Sequence, residues 1–557
     1  MFRRTRARAL CAALALGATA VVAAACGSSS DSSSGGGGEK SGGSITISQT
    51  SQPDYLDPAL SYTVNGWEPM WLVYTGLLTY KHAEGQEGAT VIPGLAETVP
   101  SKDNGGISAD GKTYKLKLRS GLKYSDGTPV KASDFEHSIK RVLNLESGGA
   151  SFYEGIVGAQ EYEKAGKANG DISGITTNDS TGDITIKLTD PNGQFNNILA
   201  MLFAGLVPSS TPFKNMTKTP PPGVGTYKIT SSVPNRQFVM QKVPTFKLPG
   251  VPAAKIDTIT TKIVKSPQQQ AQDVLNNTLD YMQDPPPSDL LPEVKSKAAN
   301  RFAEHTTVST YYLFMNVRTP PFDKQQVREA VNYAIDKRAL ARIFSGLFTP
   351  GCTFLPPGMP GYKETTCKYG DPNAAPNLAK AKQLIQQAGA KGAAVTVWGN
   401  SDDTTPKITQ YYADVLNQIG LKATPKILDG GVYFQTIGNQ KTKAQTGFAD
   451  WFQDFPNPGN FFFLVNGASI QDTNNQNFSN VDNPTINKGI DTLNLEPDPS
   501  AVADKWAALD KQLVDDAYIA PYGYRKLTTF LSDRLNFQDC NIYHPLYLND
   551  YSAWCLK

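Results

Sequence analysis

Carboxylates set among aromatic rings are the most informative feature of the sequence. They occur in residues 448–464, FADWFQDFPNPGNFFFL, where Trp451 and Phe455 accompany Asp450 and Asp454. Aromatic walls around a placed carboxylate suit a ligand that carries a cation, such as an ammonium group. The alternative is that the rings belong to the core and that Asp454 only hydrogen-bonds backbone in a turn. The residue types alone leave both interpretations open.

A nucleotide-binding pattern occurs at residues 106–113, GISADGKT, which satisfies the consensus of a phosphate-binding loop. Such a loop needs a buried strand before it and a helix after it, because the helix N-terminus helps to hold the phosphate. Here a polar loop precedes the pattern, and residues 112–119 alternate as in a half-buried strand. We therefore predict a turn leading into a strand.

Signatures of hydrolytic or metal chemistry are weak. The four histidines, His82, His137, His305 and His544, are far apart, and neither H-E-x-x-H nor G-x-S-x-G occurs. No C-x-x-C occurs either, so we predict no enzyme, no metal site and no cofactor. A catalytic triad assembled only in space stays open, and with it an exported hydrolase as a remote alternative.

The composition indicates a large folded protein with several structural units. The 557 residues, 39% hydrophobic and 19% charged, suffice for two to four units with a sizeable core. The first 25 residues hold four arginines and no acid, which leaves the rest of the chain with a net charge of −2. A nearly neutral body without a basic block argues against nucleic acid as a partner.

The N-terminus has the pattern of an export signal. Arginines in residues 1–8 precede an apolar run at 9–25 that is too short to span a membrane, so we predict a signal peptide over 1–25. The small residues before Cys26 resemble the lipobox of bacterial lipoproteins, whose cysteine is acylated. The alternative is plain cleavage after Ala25 with a free thiol.

A Ser/Gly-rich stretch completes residues 26–43 and predicts a flexible tether. Its expected reach is roughly 20–25 Å, so the lipid anchor alone would hold the folded body near the membrane. We therefore expect an exported protein at the outer face of the cytoplasmic membrane or in the periplasm.

Four cysteines remain for the folded body: Cys352, Cys367, Cys540 and Cys555. They allow three connectivities, of which the local pairing Cys352–Cys367 and Cys540–Cys555 is preferred. Each bridge would close a loop of about 15 residues, worth roughly 3 kcal/mol in the chain-entropy picture. Disulfides agree with an oxidising compartment.

The elements that must position these groups alternate between predicted helices and predicted strands, as in α/β proteins. Residues 44–50 alternate as an opening strand, and 66–80 form a dense apolar–aromatic segment predicted to be core. Helix, glycine and strand follow one another at 376–397 and again at 407–428. Two alternating units of this kind indicate an α/β lobe.

Two helix starts have local signals. Ser133 and Glu136 have the spacing of a capping box for a helix through Ile139. Asp336 is predicted to cap a helix that continues through Ile343.

The order and spacing of several short blocks resemble the family 5 solute-binding proteins of ATP-driven importers, the peptide-binding group. The resemblance covers nearly all of residues 44–535. The blocks are YTGL at 74–77, PGLAE at 93–97, DGKTY at 110–114, LRSGLKYSDGTPV at 118–130, DF at 134–135, VGTY at 224–227, PFD at 321–323 and VREAVNYAID at 327–336.

This resemblance implies an α/β, periplasmic-binding-protein-like two-lobe fold of type II, in the enlarged peptide-binding class, with an extra domain inserted in the first lobe. The lobes would close over a ligand in the cleft between them. The expected ranges are 44–78, 205–310 and 517–557 for lobe I, 79–204 for the inserted domain and 311–516 for lobe II.

The resemblance also implies site residues. Trp451 and Asp454 match a Trp and an Asp of peptide-binding relatives, in which the Asp takes the peptide α-ammonium. A second acid is common there where this chain has Asn457. Tyr522 lies in a block similar to a cleft-lining strand of relatives, and Arg525 is the candidate for the ligand carboxylate. The predicted ligand contacts are Trp451, Asp454, Phe455, Asn457, Tyr522 and Arg525.

The resulting expectation is a membrane-anchored, monomeric, extracytoplasmic solute-binding protein. It would capture di- or oligopeptides and deliver them to the permease of an ABC importer and its cytoplasmic ATPases. The alternative within the same fold is a non-peptide solute, such as a nickel or other metal complex or a saccharide.

Overall fold

The computed structural model describes residues 41–166, 170–364, 367–402 and 404–557. The predicted signal peptide, the lipid attachment at Cys26 and nearly all of the tether lie outside the described residues. Within the described ranges no helix combines the length and the apolar character that crossing a membrane requires.

The secondary structure of the described chain mixes strands and helices throughout. The strands are β1 (Ser44–Gln49), β2 (Leu78–Tyr80), β3 (Val91–Pro93), β4 (Thr113–Lys117), β5 (Ile175–Asn178), β6 (Asp183–Lys187), β7 (Tyr227–Val233), β8 (Gln237–Lys242), β9 (Thr258–Ile263), β10 (Tyr281–Met282), β11 (Phe302–Thr306), β12 (Ser309–Met315), β13 (Phe348–Pro350), β14 (Ala394–Asn400), β15 (Lys422–Leu428), β16 (Thr446–Phe452), β17 (Ile519–Phe530), β18 (Tyr543–His544) and β19 (Leu548–Asn549). The helices are α1 (Val64–Met70), α2 (Gly85–Gly88), α3 (Ser133–Asn144), α4 (Ala159–Ala165), α5 (Phe195–Ala200), α6 (Pro267–Leu275), α7 (Leu291–Lys297), α8 (Gln325–Ala334), α9 (Lys337–Ile343), α10 (Leu378–Gln387), α11 (Thr405–Gln418), α12 (Gly430–Ile437), α13 (Gly459–Phe462), α14 (Pro484–Leu493) and α15 (Ala503–Asp515).

A mixed sheet forms the centre of the first lobe, in the order β10-β1-β9-β8-β7. Strand β1 runs parallel to β9 and β10, and β8 is antiparallel to both β7 and β9. Ile45 and Ile47 alternate along β1 and are buried, which confirms the predicted opening strand.

The second lobe is built on a larger sheet in the order β11-β17-β12-β16-β14-β15, with β13 paired to β17. Every residue of β12 is buried, which is typical of a strand covered on both faces. The predicted helix–glycine–strand units are confirmed: α10 leads to β14, α11 leads to β15, and the two strands pair in parallel.

Two large hydrophobic cores correspond to the two lobes. The first extends from Ile45 of β1 through Tyr114 of the three-stranded sheet β4-β6-β5 to Trp554 near the end of the chain. The second packs around Phe314 of β12 and includes Trp506 of α15. The mixed α/β, two-lobe fold is therefore the predicted one.

The boundaries of the predicted segments stay predictions. Residues of the expected insert, 79–204, share the first core with the five-stranded sheet. Strand β17 contributes Tyr522 to the second core and Phe530 to a small third core, and Leu531 just beyond it joins the first. A single strand thus contributes to more than one core, so no sharp division at residue 517 is evident.

A buried ion pair ties α3 to the first lobe. The Arg141 guanidinium donates to both carboxylate oxygens of Asp57, at 2.9 and 2.7 Å, and both side chains have 0% exposure. Arg141 also donates to the carbonyl oxygens of Pro212 and Lys214, each at 3.2 Å. The amide of Met216 donates to Asp57, so this pair joins three chain segments.

Both disulfides have the predicted local pairing. Cys352 bonds to Cys367 with a Cα–Cα distance of 6.0 Å, and Cys540 bonds to Cys555 with a Cα–Cα distance of 5.7 Å. The second bridge fixes the last segment of the chain, which contains β18 and β19.

The helix-start predictions had different outcomes. Asp336 caps α9 as predicted, because its carboxylate accepts from the amides of Arg338 and Ala339. The capping box was wrong: Ser133 is already helical, and its hydroxyl donates to Asp179 at 2.9 Å. A partner distant in sequence displaced the local one.

The predicted turn and strand at residues 106–113 are confirmed. The amide of Lys112 donates to the Asp110 carboxylate at 3.1 Å, and β4 starts at the next residue. A phosphate-binding loop is followed by a helix, whereas here a strand follows. The interpretation of residues 106–113 as a nucleotide-binding loop is therefore excluded.

A buried carboxylate in α15 makes the stability of the second lobe depend on pH. Asp510 accepts from the amides of Phe354 and Leu355, at 2.8 and 3.4 Å, and burial raises its pKa to about 7. Because this pKa lies above that of the unfolded chain, the stabilisation from protonation is present at acid pH and is lost as pH rises through 7.

Replacing Asp510 by asparagine should therefore change the free energy of unfolding more favourably at pH 8 than at pH 6, each compared with the wild type at the same pH. The expected gain over the wild type between these two pH values is about 1.4 kcal/mol, because asparagine never becomes charged. Urea unfolding at both pH values measures it, with Asp414→Asn on the exposed face of α11 as the control. Equal effects of Asp510→Asn at pH 6 and pH 8 would contradict the raised pKa.

Candidate functional site

A cavity of about 510 Å³ lies where the two cores meet. Its volume is within the range of small-molecule sites in proteins. Its walls come from both lobes and from the end of the chain. The lining residues are 62–65, 67–68, 307–308, 450–454, 545–548, Phe434, Gln476 and Phe478.

Strand β16 and the turn after it carry the acids of the cavity. In the antiparallel pairing of β16 with β12, Asp450 lies opposite Tyr311 and Trp451 lies opposite Thr310. The chain then leaves the strand, and the proline-containing turn that follows brings Asp454 to the cavity.

Asn460 of α13 holds this turn in place. Its side-chain oxygen accepts from the indole N–H of Trp451 at 3.1 Å and from the amide of Asp454 at 2.9 Å. Its Nδ2 donates to the Asp454 carboxylate at 2.8 Å. One amide side chain thus fixes both residues that the sequence singles out, so Asn460 is a positioning residue.

Asp454 is a buried carboxylate without a cationic partner in the described structure. It is 6% exposed, and burial raises its pKa to about 7, an effect that hydrogen bonds from Asn460 and Tyr62 only partly offset. Since a charge in such surroundings is costly unless it is paired, a ligand cation at this carboxylate would be strongly favoured.

Asp450 is a second carboxylate of the same cavity. It is half-buried, and burial together with the charge of Asp402 raises its pKa to about 7. A hydrogen bond with Tyr311 and the charge of Arg525 act in the opposite direction. The environment therefore carries more negative than positive charge.

Glu68 is the third acid in the wall, and its hydrogen-bonding capacity is already used. It has 0% exposure and accepts from the hydroxyls of Tyr281 and Tyr551 at 3.1 and 2.8 Å. The backbone and side-chain nitrogens of Asn549 donate at 3.0 and 3.1 Å, and Gln283 donates to the other oxygen. Glu68 therefore joins three segments of the first lobe and is not available to a ligand.

The charged side chains of the cavity lining are all acidic. Among the described lining residues there are three acids and no lysine, arginine or histidine. The remaining wall is largely aromatic, with Tyr62, Trp67, Trp451 and Tyr547 among its members. Such a site attracts cations and stacks flat or apolar groups.

Of the predicted ligand contacts, Trp451 and Asp454 line the cavity. Phe455 does not, because it is 2% exposed and belongs to the first core, with its ring 6.1 Å from that of Phe152. Asn457 is also buried elsewhere and accepts from the amide of Gly459 at 2.9 Å.

The two predicted contacts on β17 lie outside the lining as well. Tyr522 has 0% exposure and stacks on Phe348 with 5.5 Å between ring centroids. The Arg525 guanidinium lies over the ring of Phe344 at 4.6 Å. Direct contact of Tyr522 or Arg525 with a ligand therefore has no support in this arrangement.

Sequence reasoning missed Tyr62, Glu68, Asn460 and Tyr547. The segment with Glu68 was interpreted as core, which is correct for most of its side chains. Residues 545–548 belong to no recognisable motif, and they reach the cavity only because the end of the chain packs against the first lobe. The described residues contain no group of three or more His, Cys, Asp or Glu side chains arranged to hold a metal ion.

The fold and this cavity define the class of protein: an α/β solute-binding protein with two lobes and a ligand cavity where they meet. The family model described as bacterial extracellular solute-binding proteins, family 5 Middle, matches residues 90–472. The chain belongs to this family, which consists of binding proteins and not of enzymes, as the sequence predicted.

Curated relatives cover part of the chain. The glutathione-binding protein GsiB of Shigella flexneri is 28% identical over 366 residues, which is 62% of this chain and 66% of the relative. GsiB of Escherichia coli K12 is 27% identical over 365 residues, with the same shares. The matched region thus spans 66% of the length of these relatives.

Solved structures share the fold over most of the chain. The clavulanic acid biosynthesis oligopeptide binding protein 2 superimposes with a TM-score of 0.84 at 24% identity, covering 93% of this chain and 96% of that one. DppA from Helicobacter pylori in complex with the peptide STSA gives 0.72 at 19%, covering 93% and 98%. OppA from Haemophilus influenzae with RPPGFSPFR gives 0.71 at 17%, covering 93% and 99%.

Proposed function

We propose that this protein captures peptides by their free α-ammonium group and delivers them to the permease of an ABC importer. The main observation in support is Asp454, a buried carboxylate without a cationic partner in the described structure. It lines a cavity of about 510 Å³ whose wall is largely aromatic. The peptide-bound neighbours DppA and OppA support the same ligand class for this fold.

The binding chemistry follows from the wall. The ammonium group would donate hydrogen bonds to Asp454, which Asn460 and Tyr62 already hold in position. The ring of Trp451 adds a face on which a cation or an apolar side chain can rest. The peptide backbone would pair with cavity strands, which gives affinity that is independent of side chains.

The function is thermodynamic and leaves the ligand chemically unchanged. Micromolar affinity corresponds to about −8 kcal/mol, and this total also covers the closure of the lobes. Closed protein then presents a different surface to the permease. A monomer held through lipid on Cys26, with the Ser/Gly tether after it, would meet the permease at the outer face of the cytoplasmic membrane.

Peptides fit this cavity better than the alternative solutes. A saccharide has no cation for Asp454, so the buried carboxylate would stay unpaired. A metal complex would find no cluster of metal-binding side chains in the described part of the chain. An amino-terminal ammonium pairs with the buried carboxylate of Asp454 and needs no further ion.

Blocking the peptide amine tests this function. N-acetyl-Ala-Ala-Ala should bind at least tenfold more weakly than Ala-Ala-Ala, because the acetyl group removes the cation that pairs with Asp454. Isothermal titration calorimetry on full-length protein freed of co-purified ligand measures both affinities.

The matched control is Ala-Ala-Ala amide, which loses the carboxylate instead. Because no described lining residue is basic, its affinity should stay within threefold of that of the free acid. Equal affinity for the acetylated and free peptides would contradict recognition of the amine. Absence of binding by all three peptides would contradict the peptide function itself.

A further inference from the structure

With the α-ammonium placed at Asp454, the second carboxylate of the cavity, Asp450, is left without an assigned role. Asp450 lies on β16 and Asp454 in the turn after it, four residues further along. Asp450 lies opposite Tyr311 of β12, whereas Asn460 of α13 holds the Asp454 carboxylate. The two carboxylates thus have different partners, and the role of Asp450 needs a separate explanation.

Contacts within the protein do not balance the negative charge around Asp450. In the described structure its carboxylate has a hydrogen bond with Tyr311, and its most influential charged neighbours are Asp402 and Arg525. The Arg525 guanidinium makes a cation–π contact with Phe344, 4.6 Å from the ring centroid. Asp402 is exposed and is satisfied by the amides of Thr404 and Thr405, at 2.8 and 2.6 Å. These three charged groups sum to a net negative charge beside an open cavity.

An unpaired buried hydroxyl lies in the same neighbourhood. Tyr522 has 0% exposure, and its hydroxyl has no hydrogen-bond partner in the described structure. Its ring centroid lies 6.2 Å from that of Tyr311, which hydrogen-bonds with the Asp450 carboxylate, so the two groups share one neighbourhood. A buried polar group without a partner is uncommon in native proteins, but Tyr522 lies outside the cavity lining, so its hydroxyl adds polarity beside the site and is not itself a ligand contact.

We propose that Asp450 is a second cation-binding group, which selects peptides with a basic side chain near the amino terminus. This inference rests on the proposed function, because it places the α-ammonium at Asp454. A lysine or arginine side chain has a long apolar stem that can lie along Trp451 and Phe452, while its charged end meets Asp450. The aromatic lining and the single sign of its charge both favour such a ligand.

A positional scan tests the proposal. The probes are Ala-Ala-Ala and its three single-lysine variants, each paired with the variant in which norleucine replaces lysine. At least one lysine peptide should bind tenfold or more tightly than its norleucine counterpart, because the two side chains share a four-carbon apolar stem and only lysine carries the terminal ammonium group. This comparison uses the wild-type protein, so it does not depend on the folding of any variant.

Asp450→Asn then assigns the effect to this carboxylate. It should reduce the lysine preference to threefold or less, measured as the ratio of the affinities for the lysine and norleucine peptides, so that a general change in peptide affinity cancels. Asp450→Glu should restore part of the preference. Asp103→Asn, which removes an exposed charge outside the lining, is the matched control and should keep the full preference.

The outcomes separate the two proposals. Equal binding of lysine and norleucine peptides, with normal binding of Ala-Ala-Ala, would overturn the role of Asp450 and keep the peptide function. A lysine preference that survives in Asp450→Asn would also overturn it. Failure of every peptide to bind would reject the proposed function and this inference together.

Discussion

Asp454→Asn is expected to weaken the binding of Ala-Ala-Ala by 30-fold or more, a loss of about 2 kcal/mol or more in binding free energy. The reason is that asparagine keeps a hydrogen-bonding oxygen for Asn460 but provides no negative charge for the buried ammonium. Calorimetric titration of wild type and variant measures the loss. A thermal melt shows whether the variant is folded, and the exposed Asp103→Asn is the control.

The same carboxylate predicts a pH dependence. With its pKa at about 7, Asp454 is mostly protonated at pH 6 and mostly ionised at pH 8, so wild-type affinity should fall about fivefold from pH 8 to pH 6 once the peptide amine, with an ordinary pKa of about 8, is counted. Asp454→Asn should remove the part of this dependence that Asp454 causes, since Tyr62, Tyr80 and Tyr547 stay protonated throughout, and should leave the part caused by Asp450, whose pKa is also about 7. Unchanged affinity and an unchanged pH profile in the variant would remove Asp454 from the site.

Asp57→Asn is expected to destabilise the fold by about 3–5 kcal/mol. The change leaves the guanidinium of Arg141 charged and completely buried, without the two carboxylate oxygens that it contacts at 2.9 and 2.7 Å. Part of the loss comes from Met216, whose amide donates to the same carboxylate. Urea unfolding monitored by tryptophan fluorescence measures the change.

Two controls identify the unpaired charge as the cause. Combining Asp57→Asn with Arg141→Met should recover part of the lost stability, because removing both charges avoids an isolated buried ion. Asp504→Asn breaks the exposed pair with Lys363 and should have little effect. A loss for Asp57→Asn as small as that for Asp504→Asn would show that this buried pair does not carry the packing of α3.

Local patterns predicted much of the fold because most elements are specified by near neighbours. Asp336 caps α9 with amides two and three residues away, so sequence spacing is sufficient. Ser133 had equally good spacing but bonds to Asp179, 46 residues away. Competition from a distant partner is invisible to a local pattern, which is why one prediction was confirmed and the other was wrong.

The residues of the candidate site likewise fall into two groups: those that a local motif identifies and those that only the tertiary fold brings together. Trp451 and Asp454 lie three residues apart in one turn, so a motif could identify both. Tyr62 and Tyr547 meet the same cavity from segments that only the tertiary fold brings together. Tyr522 belongs to the block that resembles a cleft-lining strand, yet β17 is an interior strand of its sheet and its ring packs against Phe348.

The end of the chain has a consequence for when the protein becomes competent. Residues 545–548 form one wall of the cavity, the Cys540–Cys555 bridge fixes that segment, and Asn549 donates to Glu68, 481 residues earlier. Because Tyr547 is synthesised after Asp454, a chain that lacks its last segment carries the acid without this wall of the cavity. The enclosure around Asp454 is therefore completed by the segment that is synthesised last.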